Sequence, residues 1–517
     1  MKKPDNVCLE ALSIRLTKST LDTAAHNITN MTEQLREIRE TDTGRLKEEY
    51  NRLIEGLEIP QVVTDAVAAP ILGNDIYQMV RETVPGNFRK PEHFISFLNR
   101  VLDFLKKRLN SKQASSAIEW PKEFLHQLMQ GSLVDKKSLR FASSRLHSLL
   151  MTIRSRNISQ FSSVSVICDF LTLISTYEQG FSLIIDNTVE PSTLEFCCLD
   201  ASIALQPLLQ KYKSVVITSG TLSPIEMFQQ ILNIKQSVIS ARFQMSLHKP
   251  CICPLIITKG SDQVPITSKN EMRKDPAVAR NYGNLLIELA AVVPDGMICF
   301  FPSYSYMEMM VKLWDEMGMI PNLLKNKLLF IETQSVTETT YALDNYRKAC
   351  NYGRGAILFS VARGKVSEGI DFDHHYGRCV IVFGIPFVYT ENRILKERLK
   401  YLRTHYDIRE GDFITFDAMR TAAQCVGRVI RGKSDYGIMI FADKRYNRLD
   451  KRDKLPQWIK QFMDGDKINL STDMAVNIAT NFLKQMAQPG SSEHELGTSL
   501  WTIDHVFACQ ANQMNTQ

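Results

Sequence analysis

The chain has 517 residues, 44% of them hydrophobic and 23% charged, and a formal net charge of +6. That composition is ordinary for a globular protein and leaves room for about three domains at roughly 150 residues each. It excludes a membrane-spanning helix, because no apolar run approaches the roughly 20 residues required, and the charge is too mild to argue by itself for nucleic-acid binding.

The opening residues Met1–Asp5 lead into no apolar stretch, so no signal peptide is read. Helical periodicity then dominates to about residue 180. Residues 41–57 mix acids and bases around Leu46, Tyr50 and Leu53, as an exposed helix or helical hairpin does. Residues 92–109 carry Phe94, Phe97, Leu98, Val101, Leu102, Leu105 and Leu109 at helical spacing, and 143–153 repeat the pattern. Segments 62–74 and 110–116 read as loops. Beyond residue 180 short apolar runs alternate with helical ones. Buried strands are predicted at 182–186, 215–218, 255–258, 297–301, 328–331, 356–359, 380–383 and 438–441. Such alternation predicts an α/β fold with a parallel sheet covered on both faces. The tail after Pro489 reads as a loop and a weakly ordered end. The 11 cysteines lack zinc spacing, and buried reduced thiols are expected.

Four polar constellations punctuate this pattern. Ser219-Gly220-Thr221 follows the strand 215–218; small hydroxyls there suit a relay of hydrogen bonds or a plain helix cap. Ser303-Tyr304 follows the strand 297–301, where Ser303 suits a cap and Tyr304 a base or sugar contact. The loop Ala362-Arg363-Gly364-Lys365-Val366-Ser367-Glu368-Gly369-Ile370-Asp371 follows 356–359; its glycines and charges suit phosphate or a structural turn. Last comes Gln424-Cys425-Val426-Gly427-Arg428-Val429-Ile430-Arg431-Gly432. On one continuous helix Gln424, Arg428 and Arg431 share a face with Thr421, opposite Met419, Ala422, Val426 and Ile430. Two guanidiniums a turn apart suit a polyphosphate, or a solvated face. Arg108, Lys136, Lys137, Arg140 and Arg145 similarly suit either a DNA-backbone surface or plain solvent exposure.

Taken in order, these strings resemble motifs III to VI of superfamily 2 helicases, and most closely the Rad-three/XPD family, over about residues 5–500. The resemblance implies a RecA-like parallel-sheet second motor domain at 241–488. A helical arch at 1–180, a remnant of the first RecA-like domain at 181–240 and a tail at 489–517 would complete the chain. It implies an ATP-dependent, nuclear DNA helicase of 5′-to-3′ polarity, acting with ATP and Mg2+ on single-stranded DNA. It also implies work within TFIIH in transcription and nucleotide excision repair, with no membrane association. Arg428, Arg431 and Gln424 would face the triphosphate, and Glu368, Gly369, Asp371 and Gly427 would border the nucleotide. Ser219, Gly220 and Thr221 would couple nucleotide to DNA; Ser303, Tyr304, Arg363 and Lys365 would lie along DNA. The arch would meet TFIIH's kinase-assembly subunit, and residues 473–486 its regulatory subunit.

The departure from the family is large. No Gly-x-x-x-x-Gly-Lys-[Ser/Thr] string, no Asp-Glu-Ala-His and none of the family's four 4Fe–4S cysteines occur in these 517 residues. No metal ligand is therefore predicted. The expectation is a family member without its N-terminal third, inactive alone, whether as an incomplete stretch or as a short, non-catalytic TFIIH interaction module. Residues 181–224 are expected to be strands without sheet partners.

Overall fold

The computed structural model describes residues 4–54, 90–110, 117–153, 158–187, 191–234, 238–241, 251–432 and 435–488. The loop expected at 62–74, residues 111–116 of the loop expected at 110–116 and the tail at 489–517 lie outside the described residues, while Asn110 ends helix Pro91–Asn110.

The amphipathic stripes of the first third form helices Lys18–Thr41, Thr43–Ile54, Pro91–Asn110, Pro121–Ser132, Ala142–Ile153 and Ser162–Thr176. Thr17 caps the first, accepting from the backbone N–H of Thr20. These helices cover a four-stranded antiparallel sheet, ordered β1 (Ile14–Thr17), β4 (Thr193–Cys198), β3 (Phe181–Asp186) and β2 (Ala117–Glu119). β3 and β4 pair along their length, Phe181 opposite Cys198 and Leu183 opposite Phe196. Phe196 stacks on Phe181 at 4.7 Å and meets Phe170 edge-on at 6.1 Å.

The expectation of unpartnered strands across 181–224 is therefore corrected in its first part. Strands Phe181–Asp186 and Thr193–Cys198 find antiparallel neighbours in the helical layer. Val215–Ile217, by contrast, lies in no strand and is exposed, Val216 by 87%. Arg145 is corrected too. It is 1% exposed, pairs with the equally buried Glu49, and lies over the Phe94 ring. A buried ion pair holds the two helices in register rather than presenting charge to solvent.

The second half forms a seven-stranded, all-parallel sheet in the order β11 (Leu470–Ser471), β5 (Ile252–Lys259), β10 (Gly437–Ala442), β9 (Cys379–Phe383), β6 (Gly296–Phe301), β8 (Ala356–Val361) and β7 (Leu328–Ile331). The central strands are buried on both faces, which is why their sequences run apolar without alternation. One face packs against helices Pro276–Val292, Tyr304–Glu316 and Thr472–Met486. The other packs against Val336–Asn351 and Glu410–Val426.

The two halves share a core. Leu399, Leu402, Phe413 and Phe416, from helices Arg393–Tyr406 and Glu410–Val426, belong to the hydrophobic cluster of the first half. Phe416 meets Phe228 edge-on at 5.2 Å. The hydroxyls of Tyr401 and Tyr406 donate to Asp200 at 2.9 and 2.8 Å. Burial of each large apolar side chain contributes about 1.5–3 kcal/mol and each such hydrogen bond about 1 kcal/mol, so apolar packing dominates this junction.

Candidate functional site

The arginine segment is not one continuous helix. The helix ends at Val426, Gly427–Val429 form a 3-10 turn, and the chain then extends. Gly427 lowers helical propensity at the break. The carboxylate of Asp435, fully buried, accepts from the backbone N–H groups of Arg431 and Gly432 at 2.8 and 2.7 Å and holds the extended part. Gln424 thus sits in the last helical turn, Arg428 in the 3-10 turn and Arg431 beyond it. Thr421 turns inward, donating to the Asp417 carbonyl at 2.8 Å.

The break still brings both arginines to one carboxylate. Arg428 and Arg431 approach Asp371 Oδ1 at 3.2 and 2.5 Å. Arg428 is 6% exposed and also donates to the carbonyls of Ser367 and Ile370. It fastens the 367–371 loop. Burial, reinforced by the neighbouring Arg431 charge and opposed by Asp371, shifts Arg428 below the ordinary arginine range. Arg431 is 35% exposed and its partner Asp371 63%. An ion pair so exposed contributes only about 0–1 kcal/mol, so an incoming anion can take Arg431 at little cost. Glu368 and Gly369 close the short helix Lys365–Gly369 beside this pair; the Glu368 side chain lies outside the described residues.

A residue the sequence reading passed over organises the neighbouring loops. Glu332, 1% exposed, stands just past the carboxyl end of β7. Its carboxylate accepts from the hydroxyls of Tyr304 (3.0 Å) and Ser360 (2.6 Å) and from the backbone N–H groups of Val361 (3.0 Å), Lys365 (2.8 Å) and Val366 (3.4 Å). Burial and the adjacent Glu332 charge push the Tyr304 hydroxyl up to about 12. Ser303 caps helix Tyr304–Glu316, accepting from the Tyr306 N–H at 3.2 Å. The Lys365 ammonium reaches the Gln334 carbonyl at the surface. Arg363 turns inward to Asp417 at 2.6 Å and the Pro386 carbonyl at 2.9 Å. The only sequence signal for Glu332 was a lone acid at the carboxyl end of a parallel strand. A Cβ on Gly364 would lie 2.6 Å from Glu332 Oε1. Gly364→Ala is therefore expected to lower stability by about 1–3 kcal/mol, read as a fall in urea midpoint.

The hydroxyl turn is compact. Ser219 and Thr221 hydroxyls lie 3.2 Å apart, and the Thr221 N–H donates to Ser219 Oγ. The Gly220 carbonyl accepts the Trp458 indole N–H at 2.7 Å.

Among the described residues no group of three or more His, Cys, Asp or Glu is arranged to hold a metal ion. The described cysteines are free, and all but Cys8 are buried. Burial raises Cys197 and Cys198 to about 12, which keeps them as thiols rather than the thiolates that ligate metals.

Residues 286–462 match the helicase C-terminal domain family, and residues 34–180 match the helical and beta-bridge domain family. The general transcription and DNA repair factor IIH helicase subunit XPD of Schizosaccharomyces pombe is 47% identical over 521 residues, covering 99% of this chain and 67% of that protein. This chain belongs to the XPD helicase family. The XPD subunit of Dictyostelium discoideum is 55% identical over 510 residues, covering 97% of this chain and 65% of that protein. The ATP-dependent DNA helicase DDX11 of Danio rerio is 30% identical over only 53% of this chain. The similarity to XPD is thus near-continuous, including the helical first third. The chain spans about 65% of the length of XPD relatives such as the Dictyostelium protein.

Proposed function

We propose that this chain is the C-terminal part of an ATP-dependent, 5′-to-3′ DNA helicase working in the nucleus within TFIIH, in transcription initiation and nucleotide excision repair. The observation that carries the reading is the convergence of Arg428 and Arg431 on the exposed Asp371, beside the 362–371 loop of a parallel-sheet domain. In this reading Arg431 meets the triphosphate as charge builds in phosphoryl transfer, and Arg428 holds the loop. Gln424, Glu368, Gly369, Asp371 and Gly427 border the nucleotide. Ser219, Gly220 and Thr221 couple nucleotide state to DNA. Ser303, Tyr304 and Lys365 lie along single-stranded DNA, while Arg363 acts through Asp417 and the fold of the loop. Helix Thr472–Met486 would dock the TFIIH regulatory subunit, and the helical first third the kinase-assembly subunit.

These 517 residues hold neither a Walker lysine nor the Asp-Glu-Ala-His acids that would hold Mg2+. Arginine fingers accelerate phosphoryl transfer by roughly 10³–10⁵, but only on a phosphate already cradled. The exposed apolar run Val215–Ile217 offers a seat for a companion motor domain. The chain alone is expected to show no DNA-stimulated ATP hydrolysis. Addition of a separately expressed first motor domain of an XPD relative is expected to restore it. Arg431→Ala should then abolish the restored rate by about three orders of magnitude. Hydrolysis by the pure chain, or restored activity indifferent to Arg431, would overturn the reading. A second reading, a non-catalytic module that holds TFIIH partners, is favoured by the extensive core that ties the helical half to helices Arg393–Tyr406 and Glu410–Val426. It predicts capture of TFIIH subunits without any restored hydrolysis.

A further inference from the structure

Trp458 stands on the short helix Gln457–Lys460, far in sequence from both segments it touches. Its indole N–H donates to the Gly220 carbonyl at 2.7 Å, in the middle of the hydroxyl turn. The same ring lies beside Gly427, where an added Cβ would meet its Cζ2 and Cη2 at 3.7 Å, and it packs on the cluster that holds Val426 and Val429. Gly427 opens the 3-10 turn that carries Arg428. One rigid, partly buried ring therefore bridges the Ser219–Thr221 turn and the arginine segment. A second bond supports the turn side, where the Ser223 hydroxyl donates to the Leu455 carbonyl at 3.5 Å. The ring itself is seated on the core that includes Leu455 and Ile459.

We propose that Trp458 is a positioning residue that makes the hydroxyl turn and the Arg428–Arg431 segment move as one. It touches no reacting atom. An indole is suited to this task because it joins a wide flat face to a single directed donor. A displacement of Gly220 pulls on the indole N–H, and the ring passes that displacement to the segment around Gly427 on which it packs. The proposal rests on the reading of the arginines as phosphate-facing for its functional meaning, but the mechanical link is tested without nucleotide.

The test is amide hydrogen exchange on the whole 517-residue chain, comparing Thr221→Ala, Trp458→Phe and the double variant. Trp458→Phe keeps an aromatic side chain but removes the donor and the outer ring carbons Cζ2 and Cη2 that lie beside Gly427. Thr221→Ala in the otherwise unchanged chain is expected to speed exchange at residues 427–431 by about fivefold, the scale of one neutral hydrogen bond. In the Trp458→Phe background the same change should leave 427–431 within about twofold. A response of 427–431 to Thr221→Ala that is equal in both backgrounds, or absent in both, overturns the proposal. So does a Trp458→Phe effect confined to residues 455–461. Circular dichroism melting of each variant identifies loss of fold; should Trp458→Phe fail it, Trp458→Leu, which also removes the donor, serves as the second uncoupling variant, with the same expected loss of response. A positive exchange result alongside failure to restore ATP hydrolysis would sustain the link and sink only the functional reading beneath it.

Discussion

Glu332→Ala is expected to destabilise the parallel-sheet domain by about 3–5 kcal/mol, the range for removing one side of a buried charged network. Five donors lose their acceptor at once: two hydroxyls and the backbone N–H groups of Val361, Lys365 and Val366. The hydroxyls of Tyr304 and Ser360 can rotate toward other acceptors, but the backbone N–H groups of Val361 at the end of β8 and of Lys365 and Val366 at a helix start cannot. Each hydrogen bond to a charged group contributes about 1.5–3 kcal/mol, so even partial rescue by water leaves a large loss. Glu332→Gln keeps one acceptor oxygen and places an amide against donors; it should recover less than half of the stability. The check is urea unfolding followed by tyrosine and tryptophan fluorescence. A midpoint unchanged in Glu332→Ala would show that the carboxylate does not organise these loops. The same variant should lower the Tyr304 hydroxyl from about 12, but only part of the way, because burial is the larger cause of the rise and the Glu332 charge the smaller.

Asp5→Asn is expected to cost about 3 kcal/mol at neutral pH, and most of that cost should be lost in acid. Asp5 is fully buried and receives Arg420 at 2.6 Å and Arg398 at 3.0 Å. Arg420 continues to Asp417 at 2.7 Å, and Asp417 to Arg363. Burial alone would raise the Asp5 carboxyl, but the two guanidiniums outweigh it and lower it from 3.8 to about 2. A carboxyl depressed in the folded state contributes stability that is fully present above its unfolded value. That contribution is lost as pH falls through the folded value. The window here runs from about pH 4 down to about pH 2, and the linked stability is about 2 kcal/mol. The stability difference between the unaltered chain and Asp5→Asn should therefore shrink across that window. A difference that stays constant from pH 7 to pH 2 would contradict the assignment.

The strands of the parallel sheet were legible because burial on both faces leaves an uninterrupted apolar run, as in Ile438–Phe441. The antiparallel sheet was legible only at β3. β4 was hidden by Glu195, which points to the opposite side and pairs with Arg15 at 2.9 Å, and β1 and β2 are too short to carry a pattern. Motif order brought Arg428, Arg431 and Asp371 into view, and the structure gathers these three. The sequence could not show the path of the chain beyond Gly427, because the extended part is held by Asp435, which accepts from the backbone N–H groups of Arg431 and Gly432. Nor could it show that Arg363 faces inward, since its partner Asp417 lies 54 residues away. Glu332 and Trp458 were invisible for the same reason: each acts through contacts between distant segments.

The shared core has a consequence for how the chain is made. Phe228 emerges from the ribosome with the helical half, but Phe416, which packs against it, is translated much later. At 5–20 residues per second the interval is on the order of 10–40 s. During that time the seat for Leu399, Leu402, Phe413 and Phe416 stays open to solvent, together with the buried socket that Arg420 will fill around Asp5. The nascent first half is therefore expected to expose this apolar seat until the second half supplies its plug. Synonymous codon changes that slow translation between residues 230 and 416 should increase aggregation without altering a single amino acid.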